Sequence, residues 1–185
     1  MYGEGPAPAE WMIVGEAPGY HEAQSGQPFV GASGRRLDLL IHEAGLTRSD
    51  MYITNLVKHR PPQNRTPKAA EIKACSPFLA SQVALIQPRV ILACGTKAAR
   101  FFIGPRLSMT RDHGQPVEVV WDRANWAGKV VPLYHPAYTF QQVKAWPVLV
   151  EAWAALRGRL AREPDSPTYT LSTEAEVTQR INTDA

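Results

Sequence analysis

Residues 11–34 constrain the fold more tightly than any other stretch. Trp11 to Val14 is a short apolar run of the kind that forms a buried strand. Gly15-Glu16-Ala17-Pro18-Gly19 breaks it, because glycine and proline together force a turn. Gly34 then opens an amphipathic helix, with Leu37, Leu40, Ile41 and Ala44 along one stripe. Open α/β sheets build sites from a strand that ends in such a loop and delivers a carboxylate at its carboxyl end. Glu16 is that carboxylate. The same loop carries an aromatic, Phe29, between Pro28 and Gly31 and outside any periodic stripe.

The rest of the chain repeats this alternation. Residues 1–9 are rich in Gly, Pro and Ala and read as a flexible lead-in. Met51–Asn55 reads as a second strand, and residues 58–67 as a loop too proline-rich for a helix interior. Lys68–Gln87 has Ile72, Cys75, Leu79, Val83 and Ile86 at helical spacing, which predicts a helix with one apolar face. Arg89–Cys94 is a third strand, Gly95 a turn, and Thr96–Phe102 the start of another helix. Residues 104–116 read as loop, Val117–Trp121 and Lys129–Leu133 as strand-like runs. Tyr134-His135-Pro136 leaves the second of these runs, and Lys144–Arg162 forms a last amphipathic helix. Strands alternating with helices predict an α/β domain whose mainly parallel sheet is covered on both faces.

A chain of 185 residues suffices for one domain with a full core. No apolar run is long enough to span a bilayer and no basic-then-apolar leader opens the chain, so a cytoplasmic monomer without a membrane partner is expected. Two cysteines, Cys75 and Cys94, exclude a disulfide framework. The net charge of +3 conceals an asymmetry: residues 1–162 hold 19 bases and 12 acids, whereas residues 163–185 hold five acids and one base. A basic body suits a polyanion, since each neutralised phosphate releases counterions.

Four segments together resemble the uracil-DNA glycosylase superfamily, and within it the family-4 type. They are Gly15-Glu16-Ala17-Pro18-Gly19; Pro28-Phe29-Val30-Gly31; Tyr52-Ile53-Thr54-Asn55 through Lys58 and on to Arg60-Pro61-Pro62-Gln63-Asn64-Arg65; and His135-Pro136-Ala137-Tyr138. Any one is weak; four in series, over about residues 10–157, are strong. The resemblance implies a three-layer α/β/α fold around a central, mainly parallel four-stranded sheet. It makes residues 1–162 the glycosylase-like domain and residues 163–185 a linker and tail. It also implies an enzyme that flips uracil out of DNA and hydrolyses its N-glycosidic bond in base excision repair.

By this resemblance Phe29 is the platform on which the extruded base stacks. Asn55 accepts from uracil N3–H and donates to O4, a pattern that cytosine reverses; the alternative is a turn cap. Asn64 has the same two readings. His135 is expected to donate to the charge developing on uracil O2. Glu16 is a candidate for orienting water or stabilising the cationic sugar. Ala17 stands where the best-known relatives carry a water-activating aspartate, and Gly19 where some place a bulky residue that rejects the thymine methyl. Glu22 is either a polar contact in the pocket or an exposed loop acid. Lys58, Arg60, Arg65, Thr96, Lys97 and the loop with Pro136 and Tyr138 are expected to grip DNA. No lysine is placed for a Schiff base, so strand cleavage is not expected.

The sequence departs from family 4 in one respect. Those relatives carry a [4Fe–4S] cluster on four cysteines. Here the N-terminal pair is missing, His59 stands in the third position, and only Cys75 matches. No iron–sulfur cluster, and no metal, is therefore expected. After the Glu-Pro-Asp-Ser-Pro-Thr linker at 163–168, the tail from Tyr169 resembles the entry to the exonuclease domain of family-A DNA polymerases. That would make the chain the N-terminal piece of a phage-type polymerase fusion; a disordered acidic tail is the alternative. A second function class stays open beside the enzyme: a uracil-sensing DNA-binding module attached to a polymerase.

Overall fold

The computed structural model describes residues 1–160; the tail readings from residue 163 onward lie outside the described residues. In chain order the elements are β1 (Trp11–Gly15), α1 (Tyr20–Ser25), α2 (Ala32–Glu43), β2 (Met51–Asn55), α3 (Ala69–Ile86), β3 (Val90–Cys94) and α4 (Thr96–Ile103). There follow α5 (Met109–Asp112), β4 (Val117–Trp121), β5 (Trp126–Leu133), α6 (Tyr138–Gln141), α7 (Trp146–Ala154) and α8 (Leu156–Arg159).

The sheet order is β2-β1-β3-β5-β4. The first four strands in that order are mutually parallel. β1 and β3 are buried along their whole length, so their sequences read as unbroken apolar runs rather than alternations. Successive residues still divide between the two faces. Trp11 and Ile13 join Leu37, Leu40, Ile41, Leu149 and Trp153 under α2 and α7, while Met12 and Val14 join Leu79, Val83 and Ala98 under α3 and α4. This is the expected three-layer α/β/α architecture.

The sheet has five strands instead of four. β4 pairs antiparallel with β5 through the turn at residues 122–125, and its exposed Glu118 and Val120 mark it as an edge. The first residues are not a free lead-in, because Glu4 exchanges backbone hydrogen bonds with Ile53 and covers part of the opposite edge. α5 interrupts the loop expected at 104–116. The expected last helix is broken at Ala155 into α7 and α8.

What the topology does for function follows from the strand order. The chain leaves β1 toward β2 on one side and returns across it to β3 on the other. A crevice therefore opens between the carboxyl ends of β1 and β3, where open α/β sheets bind ligands. Glu16, Asn55, Gly95 and His135 all stand just beyond or at the carboxyl ends of the four parallel strands.

Candidate active site

A cavity of about 450 Å³ occupies that crevice, within the range of small-molecule sites. Its lining includes Glu16, Ala17, Gly19, Glu22, Phe29, Asn55, Asn64, Arg65 and His135, nine of the residues picked out from the sequence. Pro18, Ser33, Pro61, Ala137 and Gln141 complete it. Ser33 and Gln141 carry no sequence signal, since each is an ordinary polar residue at the start or end of a helix. A second cavity of similar size is lined by Val30, Gly31 and the exposed His21, Gln24, Ser25 and Arg35. It has no buried polar group aimed into it, and the chemistry gathers in the first.

Phe29 is buried yet faces the cavity, and its backbone is left-handed at φ 54°. An aromatic residue pays of order 1–3 kcal/mol for such a conformation and holds it only where its surroundings leave no alternative. Two glycines supply that constraint. A Cβ on Gly34 would collide with the Phe29 carbonyl, and one on Gly15 would lie 2.6 Å from Phe29 Cζ. The same atom on Gly15 would also collide with Asn55 Oδ1. The ring and the amide thus close on one point at the end of β1. The His135 ring lies 5.6 Å from that of Phe29, at an interplanar angle of 25°.

Glu22 is a buried carboxylate, not an exposed loop acid. Its Oε1 accepts hydrogen bonds from the backbone N–H groups of Val30 (3.1 Å) and Gly31 (2.8 Å), and its Oε2 accepts from Gly19 N–H (3.1 Å). One side chain therefore ties the first loop to the Phe29 loop. It also fills the space beside Gly19, where a Cβ would lie 2.7 Å from Glu22 Oε2.

His135 Nδ1 accepts from the Ala137 N–H at 3.1 Å, which leaves the ring proton on Nε2 as a donor. Burial pushes its pKa down to about 4, with Glu22 pulling weakly the other way, so the ring is neutral at pH 7. Glu16 is shifted in the opposite sense. Burial raises its pKa, while the Lys97 ammonium and the Thr66 hydroxyl act to lower it.

The basic residues divide. Arg60 is exposed, donates to Asn64 Oδ1 at 2.6 Å and lies 5.1 Å over the Tyr20 ring. Arg65 forms a two-point pair with Glu71 at 2.6 and 2.9 Å while still lining the cavity. Thr96 and Lys97 are exposed at the start of α4. Tyr138 is exposed and stacked on Tyr134 at 4.8 Å. Two expectations fail. Pro136 is buried, and Lys58 is 4% exposed with its ammonium turned inward, so neither side chain faces DNA. The Lys58 position was misread because a lysine in a basic, proline-rich loop carries no mark of its direction.

Among the described residues no group of three or more His, Cys, Asp and Glu side chains could hold a metal. The cysteines present do not fit a four-thiolate cluster. Cys75 Sγ accepts from the Lys58 backbone N–H at 3.3 Å, and His59 beside it is exposed. Cys94 belongs to the core of β3, where burial pushes its thiol up to about 12. Among the described residues no helix is long and apolar enough to cross a membrane.

Comparison with known proteins addresses the same residues. Residues 2–157 match the profile of the Uracil DNA glycosylase superfamily. A type-4 uracil-DNA glycosylase of Thermotoga maritima is 44% identical over 141 residues, covering 75% of this chain and 70% of that protein. One of Saccharolobus solfataricus is 39% identical over 166 residues, covering 88% and 76%. A DNA polymerase of Bacillus phage SP01 is 28% identical over 145 residues, which are 78% of this chain but 15% of the polymerase.

Proposed function

Because the chain belongs to the uracil-DNA glycosylase superfamily, we propose that it excises uracil from DNA by hydrolysing the N-glycosidic bond, as a cluster-free, monofunctional enzyme of base excision repair. The observation that carries this reading is the convergence of the Phe29 ring, the Asn55 amide and the neutral His135 imidazole on one cavity at the carboxyl ends of the strands.

In this reading the flipped base lies on Phe29, where stacking is worth roughly 1–3 kcal/mol. A base sandwiched between two rings needs about 7 Å, twice an ordinary van der Waals contact. The 5.6 Å between Phe29 and His135 is too little. The base therefore covers Phe29 while His135 meets its edge. Asn55 reads N3–H and O4, and His135 Nε2–H donates to O2 as negative charge develops there. Placing a donor where charge appears only in the transition state is worth about 10²–10³ in rate. Glu16, on the Gly95 side of the cavity, faces the sugar and either steadies its positive charge or orients the attacking water. Arg60, Lys97 and Tyr138 meet the strand outside the pocket.

The partial match to a phage polymerase supports an association of this domain with DNA synthesis, as the N-terminal part of a fusion or beside a polymerase. It also supports action at DNA in the cytoplasm of a bacterial or phage-infected cell. The test is a uracil-containing oligonucleotide incubated with the protein and then treated with alkali. Breakage at uracil, and none without alkali, is the expected result. Retarded mobility with no breakage would replace the enzyme by a uracil-sensing binding module.

A further inference from the structure

Lys58 is the one strongly basic side chain of the proline-rich segment that turns away from solvent, and burying an ammonium costs several kcal/mol unless each of its protons finds an acceptor. Here each does. Nζ donates to Asn55 O at 2.8 Å, to Thr54 Oγ1 at 2.8 Å and to Gln82 Oε1 at 2.6 Å. An ammonium has three donors, and three acceptors surround it. No carboxylate pairs with it among the described residues.

The acceptors differ in what they would do without the ammonium. The Thr54 hydroxyl also donates to Tyr2 O, and Gln82 Nε2 donates to Tyr2 O at 2.7 Å and to Tyr52 OH at 3.2 Å. Both side chains keep partners if the lysine is removed. The Asn55 carbonyl stands at the last rung of β2, and Lys58 Nζ is its side-chain donor. The main chain of Lys58 is pinned as well, its N–H on Cys75 Sγ and its carbonyl under the Met1 ammonium at 2.8 Å. Residues 54–58 are thereby clamped by groups that do not line the cavity.

We propose that Lys58 is a positioning residue for base recognition: its buried ammonium holds the Asn55 peptide so that the amide faces the base. This rests on the reading of Asn55 as the uracil-contacting amide. Lys58 acts through Asn55 and touches neither base nor phosphate, which is a different role from the DNA contact its charge suggests.

A double-mutant cycle on the full chain tests it, read by single-turnover excision of uracil from an oligonucleotide. Lys58→Met slows excision by about 10²-fold, the order expected for a 1 Å misplacement of a reacting group. In the Asn55→Ala background the same substitution changes the rate by less than about twofold, because the interaction it serves is already gone. Affinity for an oligonucleotide carrying an abasic site, which offers no base to Asn55, stays at the wild-type value. Should thermal melting show Lys58→Met to be unfolded, Gln82→Leu, which removes one acceptor from the far side of the ammonium, replaces it. That variant slows excision by about tenfold, again only when Asn55 is present. A wild-type rate for the folded variant overturns the proposal, as does a loss that multiplies with that of Asn55→Ala. A wild-type rate for Asn55→Ala itself would instead overturn the reading of Asn55.

Discussion

Gly15→Ala puts a methyl group at the point where Phe29 and Asn55 meet. Gly15 ends β1 with its backbone outside the left-handed region, so alanine adopts its conformation without strain. The cost is steric and local. The new Cβ would lie 2.6 Å from Phe29 Cζ and closer still to Asn55 Oδ1, against an ordinary contact of about 3.5 Å. Each group must therefore retreat by about 1 Å. Overpacking of this kind destabilises by roughly 1–3 kcal/mol, and replacing glycine returns about 0.4–1 kcal/mol through the unfolded chain. The melting temperature should fall by no more than about 10 °C in a chain of this size. The excision rate should fall by about 10²-fold or more, because ring and amide are displaced together. The assay is single-turnover release of uracil at a temperature where circular dichroism shows both proteins folded. A variant with the wild-type rate would mean that the observed positions of Phe29 and Asn55 are not those in which the reaction occurs.

Four further outcomes concern single side chains and the iron content. The His135 ring titrates near 6.5 in the unfolded chain and at about 4 in the folded one, so the unfolded state binds more protons between those values; stability is full above pH 6.5 and declines by about 3 kcal/mol as the pH falls to 4. Urea denaturation of His135→Gln should show that arm flattened, and an unchanged slope would contradict the assignment. Glu22→Gln takes away a carboxylate that serves three backbone N–H groups and turns an NH2 toward at least one of them, so a loss of about 1–3 kcal/mol and a slower enzyme are expected; urea midpoints equal to wild type would show that the two loops do not depend on it. Cys75→Ser should keep activity within about threefold, since a hydroxyl can also accept from the Lys58 N–H. Protein purified without oxygen should contain no stoichiometric iron and no visible absorption.

The sequence made the architecture legible because burial on both faces writes itself as uninterrupted apolar runs, as in Trp11–Val14 and Val90–Cys94, and burial on one face as a helical stripe, as in α3. The fifth strand was visible as the run Val117–Trp121, but its antiparallel pairing depends on the short turn at 122–125, which composition does not mark as a hairpin. Phe29, Asn55 and His135 were legible for another reason. Each sits outside the periodic apolar stripes: in a Gly/Pro loop, at a strand's carboxyl end, and before a proline.

The direction in which a charged side chain turns is the feature least legible in the sequence, and for one physical reason. Formal charge says what a side chain can bond, whereas burial decides whether it bonds solvent, phosphate or the protein itself. Glu22 in α1 and Lys58 in the loop after β2 look alike on paper to Glu43 and Lys68, yet both turn inward and bond backbone and side-chain groups. Glu22 joins the first loop to the loop that carries Phe29, and Lys58 donates to the Asn55 carbonyl at the end of β2. A left-handed aromatic and a strand-end carbonyl without a donor are each unfavourable by themselves. Here a buried carboxylate bonds the backbone beside the first, and a buried ammonium caps the second. Electrostatics therefore enters this site first as scaffolding, and under the proposed function it leaves the neutral His135 imidazole as the group that answers a transient charge.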